Sequence, residues 1–201
     1  MGKLVTVTGA SGSGKTTLVR KCQKIFQKEV SEVVSVTTRP KRTYEINAMD
    51  YYFVDEDDFS DMDLTAVTLF NGNHYGIDRY TIEQCLKRHK VSFVIVDHNG
   101  AKELKEEYGD RVLSVFIHSA PSTAYSRVLH RDGEDVANER KIADVESGLV
   151  ASEFDTDYDL VLSANNTKNA VLRKFLAFLE ENTELETPFL WKKNLTLKEG
   201  D

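Results

Sequence analysis

The segment Gly9-Ala10-Ser11-Gly12-Ser13-Gly14-Lys15-Thr16, followed by Thr17, holds the residue types needed to bind and move a phosphate. Gly9 and Gly14 are separated by four residues and followed by lysine and a hydroxyl residue, which is the phosphate-loop spacing. Glycines let backbone N–H groups curl around phosphate oxygens with no side chain in the way. A helix starting at the lysine points its positive dipole end at the same anion. Lys15 reaches the outer phosphates as a point charge, and Thr16 offers a hydroxyl to Mg²⁺. A bare glycine-rich turn would not need the apolar run Leu4–Thr8 before it and a helix-like run after it, so Gly9–Thr17 is expected to bind ATP.

A second cluster begins at Ser35-Val36-Thr37-Thr38-Arg39-Pro40-Lys41-Arg42. Arg39 and Arg42 lie three apart, with Tyr51, Tyr52 and Tyr75 further on. Two guanidiniums and phenol hydroxyls suit one phosphate, because guanidinium binds it bidentately. Taken alone, Arg-Pro-Lys-Arg reads more readily as a solvated basic turn. It stands out because the 201-residue chain carries a net charge of -7. That charge argues against a general nucleic-acid or anionic-membrane surface, so an anion must be captured locally.

These residues need elements to hold them. Apolar runs at Leu4–Thr8, Val33–Thr37, Phe93–Val96, Val112–Ile117 and Leu160–Leu162 read as buried strands. They alternate with helical patterns at about 15–28, 79–89, 99–108, 121–130, 136–152 and 168–181. Such alternation predicts a parallel sheet covered on both faces. Between Thr37 and Gly76 the strand signals crowd together, at Tyr51–Val54 and Thr65–Phe70, with little helix between. A small β-rich insertion is expected there. No run of about 20 apolar residues suggests a membrane span. Cys22 and Cys85 fit no metal-ligand spacing and read as free thiols, and the N-terminus runs straight into a strand. The expected compartment is the cytoplasm.

Ser-Val-Thr-Thr-Arg-Pro-x-Arg-x-x-Glu-x-Asn-x-x-Asp-Tyr-x-Phe-Val, Gly72-Asn73-His74-Tyr75-Gly76 and Val94-Ile95-Val96-Asp97-His98-Asn99-Gly100 together resemble the guanylate kinase family, in consistent order from about Lys3 to Glu180. The resemblance implies an α/β fold with a three-layer P-loop core around a parallel sheet. It also implies an inserted small β-rich monophosphate-binding lobe and a helical lid. Residues 1–36 and 77–184 would form the core, with the lid at about 127–145. Residues 37–76 would form the lobe and 185–201 a tail that is loose or docked. By resemblance Arg39, Arg42, Tyr51 and Tyr75 hold the acceptor phosphate, and Ser35 and Asp97 lie near the acceptor base. Lys15, Arg131 and Arg140 would act on the transferring phosphoryl group, with Arg127 a weaker candidate. The implied reaction is ATP plus a nucleoside monophosphate, GMP or dGMP, with Mg²⁺ on the donor.

The chain departs from the family pattern at the base. Ala66 stands where the family places a guanine-reading glutamate, and Ile77 where it has Ser or Thr. Tyr44 and Ala48 replace two glycines. Glu45 or Asp63 are candidates to supply the missing carboxylate. A kinase of another ribo- or deoxyribonucleoside monophosphate, a kinase of a phosphosugar such as ribose bisphosphate, and a non-catalytic binding module are the alternative readings. The complete phosphate loop argues against the last.

Overall fold

The computed structural model describes residues 2–146 and 158–196. Along the chain run β1 (Lys3–Thr8), α1 (Lys15–Phe26), β2 (Val30–Glu32), β3 (Val36–Thr37), β4 (Tyr52–Phe53) and α2 (Glu56–Asp61). Next come β5 (Leu64–Phe70), β6 (Asn73–Asp78), α3 (Arg79–Arg88), β7 (Val91–Ile95), α4 (His98–Tyr108) and β8 (Val112–His118). The chain continues through α5 (Pro121–Asp132), α6 (Glu134–Glu146), β9 (Leu160–Ser163), α7 (Lys168–Asn182) and α8 (Phe189–Thr196).

A five-stranded parallel sheet has the order β2-β7-β1-β8-β9. β1 lies at its centre, which is why Leu4–Thr8 is buried throughout and reads as an almost unbroken apolar run. Successive β1 side chains face opposite layers. Val5 and Val7 join Leu18, Val19 and Cys22 of α1 and Leu172, Phe175 and Leu179 of α7. Leu4 joins Ile82 and Leu86 of α3 and Leu104 and Tyr108 of α4 on the other face. The result is helix, sheet, helix. Because the strands are parallel, the chain leaves β2, β7, β1 and β8 on the same edge, where open α/β sheets bind ligands.

The second sheet is mixed, with the order β4-β3-β6-β5. β5 and β6 form a hairpin closed at Asn71 (φ 49°) and Gly72 (φ 71°), the residue pair favoured where both turn positions need positive φ. Val33–Thr37 differs from its expected single strand. The core strand is Val30–Glu32, Val33 N still donates to Phe93 O (2.7 Å), and Val36–Thr37 belongs to the second sheet. The apolar run continues while the chain passes from one sheet to the other. The short helix α2 follows an N-cap, Asp55, whose carboxylate accepts from Asp58 N.

The helix expected at 136–152 runs to Glu146, and 147–152 lie outside the described residues. The tail docks in part. Leu185 and Leu195 are buried and Trp191 packs on the α1/α7 layer, while Phe189 and Leu190 stay exposed. Glu180 ties the tail down, accepting from Thr187 N (2.7 Å) and pairing with Lys192 (2.9 Å).

Candidate active site

The carboxyl end of β1 opens into the phosphate loop. Gly12 and Gly14 have φ of 80° and 104°, a region that other residues enter at a cost. A Cβ on Gly12 would strike the Ala124 carbonyl, while a Cβ on Gly14 would meet nothing within 4 Å. The first glycine is therefore fixed by packing against α5, and the second keeps the mouth of the loop open. Gly14 is also the N-cap of α1, so the free N–H groups of the first turn face this space.

Lys15 folds back over the loop. Its Nζ donates to Gly9 O (2.5 Å) and Ala10 O (3.0 Å). Burial lowers its pKa to about 8; Asp144 raises it in part, and Arg140 and Arg131 lower it further. Both lid arginines expected from the sequence therefore act electrostatically on the phosphate loop. Arg127 touches the loop from behind, donating to Gly12 O (3.2 Å).

The loop suits a polyphosphate with a hard divalent cation. The Ser13 hydroxyl is buried without a partner among the described residues. Thr16 is exposed on the first turn of α1. One protein oxygen plus phosphate oxygens is the usual holding of Mg²⁺. Among the described residues no cluster of His, Cys, Asp and Glu forms a separate metal site.

The second anion cradle lies beyond β2, built on β3, β4, β6 and the loop 38–51. Arg39 makes a two-pronged pair with Glu45 (2.8 and 3.1 Å) and stacks 5.5 Å from the ring centres of both Tyr51 and Phe53. Arg42 reaches the same carboxylate at 3.7 Å, and Arg42 N donates to it at 2.9 Å. Burial would raise the Glu45 carboxyl, but the bonds from Arg39 and Arg42 N outweigh it and hold the group below its usual range. Tyr75 opposes Thr37 across the β3/β6 pair, and its ring meets Tyr51 edge-on at 5.9 Å. Burial, then Tyr75, raises the Tyr51 phenol, and Arg39 and Arg140 oppose that rise. The four expected phosphate holders are therefore together, and a lid arginine acts on them.

Glu45, part of the arginine cluster in the sequence and a candidate carboxylate for the base, is the counter-ion of Arg39 and Arg42, and Asp63 pairs with Arg79 (2.7 Å). The spacing Arg-x-x-Arg-x-x-Glu was the available signal. At the base positions, Ala66 and Ile77 are buried in the layer with α3 and α4. Asp97 follows β7, beside β1 in the sheet, and its Oδ1 accepts from Gly100 N (2.7 Å) as the cap of α4. Ser35 O accepts from Tyr52 N (2.9 Å), which fixes the start of the second sheet.

α5 and α6, joined at Gly133, cover the stretch expected to form the lid. Asp132, at the end of α5, has a side chain only 4% exposed. It receives Arg131 (2.7 and 2.9 Å), Arg140 (3.6 Å) and the Tyr44 hydroxyl (3.3 Å). Asn71 also reaches Glu139 of α6 (3.4 Å). Tyr44 and Asn71 come from the arginine-bearing lobe, so the lid rests on it. At the other end of α6, Asp144 accepts from Ser11 N (2.9 Å) and Ser11 Oγ (3.2 Å) of the phosphate loop. Asp132 and Asp144 have no assigned role in the sequence reading, and Tyr44 stands there only as a replacement for a family glycine. Asp144 stands four residues after Arg140, on the same helix face, and that spacing was its one local signal.

Burial, then Arg42 and Arg131, lowers the Arg140 pKa, while Asp132 and Tyr51 act in the opposite sense. Arg140 is thus coupled to Arg42 and Tyr51 on one side and to Lys15 and Asp144 on the other. α6 therefore touches the phosphate loop through Asp144 and the arginine-bearing lobe through Glu139.

A family model described as guanylate kinase matches residues 1–182. A guanylate kinase of Chlamydia muridarum is 32% identical over 177 residues, covering 85% of each chain. One from Thermosynechococcus vestitus is 32% identical over 161 residues, 77% of this chain and 83% of that one. The crystal structure of guanylate kinase from Anaplasma phagocytophilum shares the fold, with a TM-score of 0.64 at 23% identity over 98% of this chain and 95% of that one. With the model matched along nearly the whole sequence and these relatives along most of theirs, the chain belongs to the guanylate kinase family.

Proposed function

We propose that the protein transfers the γ-phosphoryl group of ATP to a nucleoside monophosphate, GMP or dGMP, giving ADP and the diphosphate. One observation carries this reading most. α6 is bonded to the phosphate loop through Asp144 and Ser11 and to the arginine-bearing lobe through Glu139 and Asn71, and Arg140 stands between those two contacts. The acceptor phosphate oxygen attacks the γ-phosphorus as the bond to the ADP oxygen breaks. The protein supplies alignment and positive charge.

Gly9–Thr17 would cradle the donor phosphates and Lys15 would follow the γ-phosphoryl group. Arg39, Arg42, Tyr51 and Tyr75 would fix the acceptor phosphate, and Ser35 and Asp97 would flank its base. Arg131 and Arg140 would neutralise charge on the group in flight. Mg²⁺, held by Thr16 and the donor phosphates, would screen the donor's charge. The lid resting on the lobe would keep out water, which would otherwise take the phosphoryl group.

Ala66 and Ile77, both buried, supply neither the carboxylate nor the hydroxyl that the family resemblance expects at those positions. Losing a charge-assisted contact of about 1.5–3 kcal/mol would make the preference for guanine shallow, weaker by roughly 10- to 150-fold. Its substrates, together with free Cys22 and Cys85, fit a reducing cytoplasm. No helix among the described residues is long and apolar enough to cross a membrane.

The test is ADP release with ATP and each common ribo- and deoxyribo-monophosphate in turn. GMP and dGMP are expected to turn over fastest, with measurable rates for other purines. Lys15→Ala should abolish most turnover, and Arg39→Ala should raise the acceptor KM while leaving ATP affinity in place. No turnover of any monophosphate by a protein that binds ATP would overturn the reading.

A further inference from the structure

Among the described residues, Asp144 is the acidic side chain of α6 that bonds to the phosphate loop. Its two oxygens accept from the backbone N–H and the hydroxyl of one residue, Ser11, at 2.9 and 3.2 Å. Asp144 is 6% exposed, so this is a buried contact. Its carboxylate lies in the field of Lys15. N–H groups of such a loop are donors that a phosphate oxygen claims when a nucleotide binds. A carboxylate presents the same chemistry: negative oxygens accepting charge-assisted bonds.

We propose that Asp144 is a positioning residue that stands in for the terminal phosphate of the donor, holding α6 on the phosphate loop until ATP displaces it. The proposal rests on the kinase reading above and adds a residue to the donor site. Arg140 precedes Asp144 by four residues and lies on the same face of α6. The internal anion therefore stations Arg140 over the site before any nucleotide arrives. Asp132 does the equivalent for Arg131 and Arg140 at the lobe end of the lid. Two carboxylates of the chain thus lie among cations that two phosphates would otherwise satisfy. A phosphate and a carboxylate cannot share the Ser11 N–H without like-charge repulsion, so ATP entry must push Asp144 aside. ADP and AMP, lacking the outermost phosphate, meet less of this opposition.

Equilibrium titration of ATP, ADP, AMP and inorganic tripolyphosphate separates this role from a merely structural one. Asp144→Asn keeps the shape and removes the charge. It should tighten ATP and tripolyphosphate by about tenfold, a screened value for one like charge beside a phosphate. ADP should gain less and AMP nothing. Asp144→Glu, which restores the charge, should return the ATP-to-ADP affinity ratio towards wild type. Asp144→Ser serves the same comparison should the asparagine variant fail to fold. Unchanged or weaker ATP binding, or equal gains for ATP, ADP and AMP, in a variant with wild-type thermal stability would overturn the proposal. Lys15→Ala separates the two readings. If wild type and Lys15→Ala both bind no ATP, the kinase reading itself falls and takes this proposal with it.

Discussion

An ammonium group enclosed by its own loop and flanked by two guanidiniums holds its proton loosely. Lys15 is in that position, with a pKa of about 8 against 10.5 when free. The sign for stability follows from the depression: the cost of burying the charge is full below pH 8 and is relieved as pH rises from 8 towards 10.5. The sign for binding is the opposite. A bound triphosphate favours the ammonium and lifts its pKa. Affinity for Mg-ATP should therefore be flat up to about pH 8 and then fall, at most about tenfold per pH unit, until the pKa of the complex is reached. Titrations between pH 7 and 9.5 test this, and Lys15→Met should flatten the profile. A wild-type profile that is already flat would place Lys15 away from the phosphates.

At the scale of elements, the loop between β3 and β4 carries a strained residue. Ala48 has φ of 64°, is exposed, and donates its N–H to Tyr51 O at 2.8 Å. An alanine there costs about 1–2 kcal/mol in backbone sterics, which glycine avoids while losing more chain entropy on folding. Ala48→Gly should be a net gain of about 0.5–1 kcal/mol, raising Tm by roughly 2–3 °C in a domain of this size. A thermal melt decides it, and a lowered Tm would mean that the strain is not real. The same loop shows what the sequence can and cannot reveal. β1, β7 and β8 were legible because a strand buried on both faces is an unbroken apolar run, and the phosphate loop because its glycines and lysine are contiguous. The core strand β2 was not, since Val30-Ser31-Glu32 has a single apolar residue and lies before the apolar run Val33–Thr37. Nor were Asp132 and Asp144 as parts of the site, because Asp144 meets Ser11 across 133 positions of chain and nothing local marks the pair.

Across the whole molecule, three segments of separate origin leave the sheet on one edge: the phosphate loop after β1, the arginine-bearing insertion after β2 and the lid after β8. Each nucleotide would be gripped mainly by its own segment, the donor by Gly9–Thr17 and the acceptor by Arg39, Arg42, Tyr51 and Tyr75. The helix α6 meets both, at Ser11 through Asp144 and at Asn71 through Glu139, and Arg140 stands between those two contacts. A group that contacts charge only as it passes between sites contributes to the transition state more than to either bound ground state. Arg140→Ala should therefore lower kcat by about 10²- to 10³-fold, the usual size for removing one preorganised donor. The separately measured Kd values for ATP and GMP should each shift less than about fivefold. Arg140→Lys should recover only part of the rate, because an ammonium cannot span two oxygens as a planar fork does. If Arg140→Ala instead raised one KM and left kcat in place, Arg140 would belong to a single cradle, and the bridging role of α6 would have to pass to Arg131.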